Sequence, residues 1–117
     1  MPADAMHELK KAILLCPSFA DLRVRLAGLY RQTGDLDAAR FELEEAISAK
    51  NSYVPAHVAL GVVLLALNLP EEATERWKHA LGLDPENRAA AMYLRMAGGA
   101  AEASPAEASP AADGAQE

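Results

Sequence analysis

Ala5, Ala39 and Ala73 stand 34 residues apart, and so do Ala12, Ala46 and Ala80, Leu9, Leu43 and Trp77, and Leu26, Leu60 and Leu94. Small residues recur against small ones and large apolar residues against large ones, so what repeats is a packing pattern. A fixed period of this length constrains the fold more than composition does, because each repeat is one unit that buries its apolar face only against its neighbours. The chain has 117 residues, of which 5% are aromatic, and it is rich in Ala and Leu. That combination suits one modest domain of closely packed helices better than a sheet.

Between punctuation residues the apolar side chains fall at spacings of three and four, which predicts six helices with buried stripes. The first spans about Ala3 to Leu15 and stops before Pro17; the second, about Phe19 to Gln32, ends at Gly34, which tolerates the left-handed conformation that closes helices. Asp35 then caps a third helix from Leu36 to about Ala49 by accepting from first-turn amides. The fourth covers about Pro55 to Leu67, and Asn68 takes the turn position of Gly34. Pro70 suits the first turn of a fifth helix reaching about Leu83. Asp84-Pro85 breaks it, and the sixth runs from about Glu86 to Ala97, ending at Gly98-Gly99. Beyond that the sequence AEASP occurs twice in succession and large apolar residues vanish, so residues 101–117 read as a disordered Ala/Ser/Pro/Glu tail or linker.

The formal net charge is −6, but Glu102, Glu107, Asp113 and Glu117 lie in a tail without a base, leaving eleven bases against thirteen acids in residues 1–101. No basic stripe stands out, so nucleic-acid binding lacks its electrostatic footprint. Cys16 is the only cysteine, which excludes an internal disulfide framework and fits a reducing compartment. The apolar stretch before Cys16 is far shorter than the roughly 7 to 15 residues of a signal core, and acidic residues precede it. The most apolar segment, Val54 to Leu69, contains His57 and is short against the roughly 20 residues of a membrane span. A cytoplasmic protein without direct membrane insertion is the expectation.

With helix pairs and period in place, the chain resembles the tetratricopeptide repeat (TPR) family over residues 3 to 97. In residues 54–87 the family pattern of large, small, alanine, aromatic, alanine and proline is met by Leu60, Gly61, Ala73, Trp77, Ala80 and Pro85. Residues 20–53 supply Leu26, Ala27, Tyr30, Gly34, Ala39, Leu43 and Ala46, with Asn51 for the closing proline and Arg23 for the first large aromatic. The resemblance implies an all-α, right-handed α-α superhelix: a half repeat at 3–19, full repeats at 20–53 and 54–87, and a capping helix at 86–97, within a domain of residues 1–100. Gly61 in a helix interior costs about 1 kcal/mol relative to Ala, which points to two helices crossing closely there. Ala27, Ala39 and Ala73 meet the same need, and Trp77 is expected to wedge against the next helix pair. The chain opens on the second helix of a repeat, as a piece of a longer array or with that helix as a cap. Arg95 occupies the small-residue position of Ala27 and Gly61, which marks the sixth helix as a solvated cap.

The fourth helix carries two apolar stripes. Leu60, Gly61, Leu64 and Leu67 face the partner helix of the repeat, whereas Val58, Val62 and Leu65 form a second stripe with no evident cover. The resemblance implies that this stripe lines a concave groove, with Val24, Gly28 and Arg31 at matching positions on the second helix and Met92 and Met96, beside Tyr93, on the sixth. The expected protein-binding residues are Val24, Arg25, Arg31, Val58, Val62, Leu65, Met92, Tyr93 and Met96. Such a groove favours an apolar or amphipathic segment of a partner protein. The alternatives are a homo-oligomer, such as a homodimer, closing the same face, plain core, or one module of a larger assembly or secretion protein. Members that bind the acidic C-termini of heat-shock chaperones use a clamp of Lys, Asn and Arg. The matching positions here, Val24, Gly28, Ala59, Ala89 and Tyr93, cannot grip a carboxylate.

His7, His57 and His79 lack a metal-ligand spacing and read as helix-surface or groove-edge residues. No nucleophile has an identifiable base and no Gly-rich phosphate loop occurs, so neither catalysis nor a cofactor is expected. Cys16 reads as a partly buried small apolar residue, and the acidic groups Glu42, Glu44 and Glu45 and Glu71 and Glu72 as solvated helix faces.

Overall fold

The computed structural model describes residues 2–103, with side chains described over residues 3–97. It consists of six helices in TPR-like packing: α1 (Pro2–Leu15), α2 (Ala20–Gln32), α3 (Leu36–Ala49), α4 (Val54–Ala66), α5 (Pro70–Leu83) and α6 (Arg88–Ala103). α2 pairs with α3 and α4 with α5, while α1 packs on α2 and α6 on α5.

The turns form as the local chemistry dictates. Gly34 and Asn68, one period apart, both have positive φ, at 86° and 67°. Each lets the next amide reach back to close the preceding helix, Asp35 N–H to the Tyr30 carbonyl and Leu69 N–H to the Leu64 carbonyl, both at 2.9 Å. Asp35 Oδ1 accepts from the Ala38 amide at 3.3 Å, capping α3.

The sixth helix differs from expectation at both ends. It begins at Arg88 because Asn87 Oδ1 accepts from the Ala90 amide at 2.8 Å, which makes Asn87 the cap. It continues through Gly98-Gly99 to Ala103, since glycine adds only about 1 kcal/mol each to helix formation and alanines follow. Residues 101–103, read as the start of the tail, are thus the last of this helix; the rest of that segment, 104–117, lies outside the described residues.

The core lies along the helix-pair interfaces. Leu43, Leu60, Val63, Leu64 and Trp77 are buried among Ala27, Ala39, Ala73, Ala80 and Ala90. Trp77 organises the second pair. A Cβ on Gly61 would collide with its indole, so the missing side chain is what admits the ring between α4 and α5. Its Nε1–H donates to the Val58 carbonyl at 3.1 Å, and its ring lies 5.2 Å from that of Tyr93 on α6, tilted by 16°. The wedge against the next helix is therefore an aromatic stack.

Candidate protein-binding surface

The second apolar stripe of α4 divides between core and surface. Val58 and Val62 are half-buried and pack against the main core, as do Val24 of α2 and Tyr93 of α6. Leu65 is 44% exposed, and on α6 Met92 and Met96 are 42% and 60% exposed. Arg31 is exposed near the end of α2. Arg25 lines a different hollow, of about 570 Å³ between α1 and α2, together with Ala5, Glu8, Leu9 and Leu29. The residues singled out from the sequence thus separate into a half-buried valine floor with Tyr93, three exposed apolar side chains, exposed Arg31, and a second arginine, Arg25, that looks elsewhere.

His57 corrects the sequence reading. It is only 2% exposed rather than a surface or groove-edge residue. Arg76 Nη1 approaches His57 Nδ1 at 3.1 Å, and because a guanidinium only donates, Nδ1 is the acceptor. His57 Nε2–H then donates to the Asn51 carbonyl at 2.8 Å, which fixes a neutral ring. Burial pushes its pKa below the usual histidine range, and His79, 4.5 Å away ring to ring, and Arg76 add to the effect against the Asn51 carbonyl.

A second pair was not anticipated. Arg23 Nη1 donates to Glu42 Oε1 at 2.9 Å, with both side chains largely withdrawn from solvent. Glu42 is therefore no solvated face residue: it ties α3 to α2. The sequence signal was available as a cation and an acid separated by the same interval as His57 and Arg76. Among the described residues no three His, Cys, Asp or Glu side chains converge as metal ligands. Cys16 is half-buried, and no described helix is long and apolar enough to cross a membrane.

These paired helices with small residues at their crossings define a helical repeat scaffold. Residues 1–52 match the model of the tetratricopeptide repeat family. Several of the solved structures it is similar to are TPR domains. The first TPR domain of human RPAP3 aligns with a TM-score of 0.82 at 24% identity, covering 87% of this chain and 80% of that one. The first TPR domain of Spaghetti (RPAP3), bound to the HSP90 peptide SRMEEVD, aligns with a TM-score of 0.80 at 25% identity, over 86% and 79% of the two chains. The TPR domain of Sgt2 from Aspergillus fumigatus aligns over 98% of this chain and 82% of its own, with a TM-score of 0.80 and 20% identity. No curated protein sequence matches. Residues 1–52 thus match the tetratricopeptide repeat family, and the six-helix fold is that of tetratricopeptide repeat domains, modules that serve protein interactions.

Proposed function

We propose that this domain is a non-enzymatic adaptor that holds an apolar or amphipathic segment of a partner protein against the face formed by α2, α4 and α6. The observation that carries the reading is the exposure of Leu65 on α4, the helix that also carries Val58 and Val62, and of Met92 and Met96 on α6. Apolar side chains left together on a surface mark interaction sites, and methionine adapts its shape to varied apolar partners. Val24, Val58, Val62 and Tyr93 form the floor, and Arg31 offers a cation to an acidic flank.

The likeness to domains bound to HSP90 and HSP70 peptides supports peptide capture as the mode. The residues here favour a different ligand. Val24, Gly28, Ala59, Ala89 and Tyr93 supply apolar surface where an acidic terminus needs donors, so the affinity comes from apolar anchors.

The test replaces exposed residues. Leu65→Glu and Met96→Glu remove partner capture, read by affinity isolation from cell extract and mass spectrometry, while thermal melting stays within a few degrees of wild type. Val62→Glu is a poorer probe because Val62 packs against the core, where a carboxylate also destabilises the fold. Capture unchanged in both variants overturns the reading. The self-association alternative uses the same face; light scattering across dilution then shows a dimer that both variants dissociate.

A further inference from the structure

The hollow between α1 and α2 repeats, one period earlier, the face on which α2 itself sits. The period shows this residue by residue. α2 lies against Ala39, Leu43 and Ala46 of α3 and beside Ala56 and Val63 of α4, and all five are buried. One period earlier the same composite face is Ala5, Leu9 and Ala12 of α1 with Leu22 and Leu29 of α2, and these five line the hollow, Ala5 exposed and the others half-exposed.

The acid that anchors α2 recurs as well. Glu42 takes Arg23 of α2 at 2.9 Å, and its counterpart is Glu8, which lines the hollow and among the described residues pairs only with exposed Lys11, at 4.0 Å. The slot therefore repeats the seat of α2 in shape, apolar lining and charge.

We propose that this slot docks an amphipathic helix of a partner protein, with a cation to pair with Glu8, a large apolar residue three positions later, a small residue next, and a large one three further on. These are the properties of Arg23, Leu26, Ala27 and Tyr30, the side chains of α2 at the corresponding register. A second copy does not supply such a helix. α2, the described helix with this pattern, is already seated on α3, and α4, which has the neutral His57 where the cation belongs, is seated on α5. On α6, Ala91 stands where the cation belongs and Arg95 where the small residue belongs. The slot shares Gly28 with the α2, α4 and α6 face but none of that face's exposed apolar side chains, so either surface can fail its test without the other.

The probe is a synthetic peptide of residues 20–33 of this chain, made with Arg25→Lys and held helical by a lactam from Asp21 to that lysine, both outward positions. Isolated helices this short are marginal in water, hence the lactam. The expected result is saturable one-to-one binding to the full chain, with amide shifts in nuclear magnetic resonance confined to α1 and α2. Glu8→Lys, an exposed change, weakens binding about fivefold, as loss of an ion pair at a surface does, and reversing it weakens none of the fold. A peptide that also carries Arg23→Glu regains affinity for the Glu8→Lys protein. The Leu65→Glu protein binds the probe as wild type does. The proposal is overturned by absence of saturable binding, by shifts on α4 and α6 instead, by equal affinity in wild type and Glu8→Lys, or by a dimer of the unliganded chain whose interface maps to the hollow.

Discussion

Arg23 on α2 and His57 on α4 stand one period apart and hold equivalent neighbours. Each donates to the carbonyl of the residue six positions earlier, Arg23 to Pro17 at 3.4 Å and His57 to Asn51 at 2.8 Å. Each also meets the residue nineteen positions later, Glu42 at 2.9 Å and Arg76 at 3.1 Å. The two repeats thus use one polar linkage with its charges redistributed: a cation meets an acid in the first, and a neutral ring accepts from a cation in the second. This linkage stands where the family places a large aromatic residue.

His57 makes stability depend on pH. Its folded-state pKa is depressed below the ordinary value of 6.5, chiefly by burial. As pH falls, the unfolded chain therefore takes up this proton before the folded one does. The contribution is fully present above about 6.5 and is lost as pH falls through the window between that value and the lowered one. Thermal melts from pH 8 to pH 5 should show the midpoint falling below pH 6.5. In His57→Gln, which keeps an amide donor but does not titrate, that part of the slope should disappear.

Replacing Arg23 by Ala leaves Glu42 largely withdrawn from solvent without its partner. The expected cost is about 2 kcal/mol by urea denaturation, the range for hydrogen bonds to charged groups. The second repeat offers a replacement set. Arg23→His combined with Glu42→Arg installs the His57 and Arg76 arrangement on α2 and α3, and the double variant should lose less stability than the two single changes added together.

The glycines respond oppositely to the same substitution. A Cβ at Gly28, within α2, meets nothing within 4 Å, so Gly28→Ala should stabilise by about 0.5 to 1 kcal/mol through backbone entropy alone. A Cβ at Gly61 meets the Trp77 indole, so Gly61→Ala should cost about 1 to 3 kcal/mol through overpacking. Denaturation midpoints of the two variants on either side of wild type check the contrast.

The period made Gly34, Asn68 and the Asp35 cap legible, because each acts within a turn and leaves a local signature. The close crossing at Gly61 was legible as a small residue in a helix interior, but that the Trp77 indole of the same pair fills the space over it was not, because the sequence assigned that ring to the next helix pair. The His57 and Arg76 pair and the Arg23 and Glu42 pair went unread, since polar contacts between helices have no local periodicity. They emerge only when two repeats are compared at a fixed long separation. The end of α6 was misplaced because glycine sets a propensity cost, whereas a helix terminus needs a cap, and none stands at Gly98-Gly99. At the candidate surface the α4 stripe was visible as a pattern. How far Val62 sinks into the core and Leu65 stands out of it depends on the neighbours of α4, which one helix cannot reveal.

Comparison of repeats predicts how the Trp77 wedge can be undone. In the first repeat Leu43 holds the position of Trp77 and Ala27 that of Gly61, and both are buried. Trp77→Leu alone opens a cavity over Gly61 and loses the stack on Tyr93, at a cost of about 2 to 4 kcal/mol. Gly61→Ala alone meets the indole. Together they reproduce the Ala27 and Leu43 pair, and the new methyl then fills part of the cavity instead of striking a ring. The double variant should be no less stable than Trp77→Leu alone, giving a favourable coupling of about 1 kcal/mol or more in a double-mutant cycle. Circular dichroism during urea unfolding measures it in all four proteins, since Trp77 is the only tryptophan and its fluorescence is lost with it. Additive costs would mean that Trp77 and Gly61 are not in contact in the folded chain.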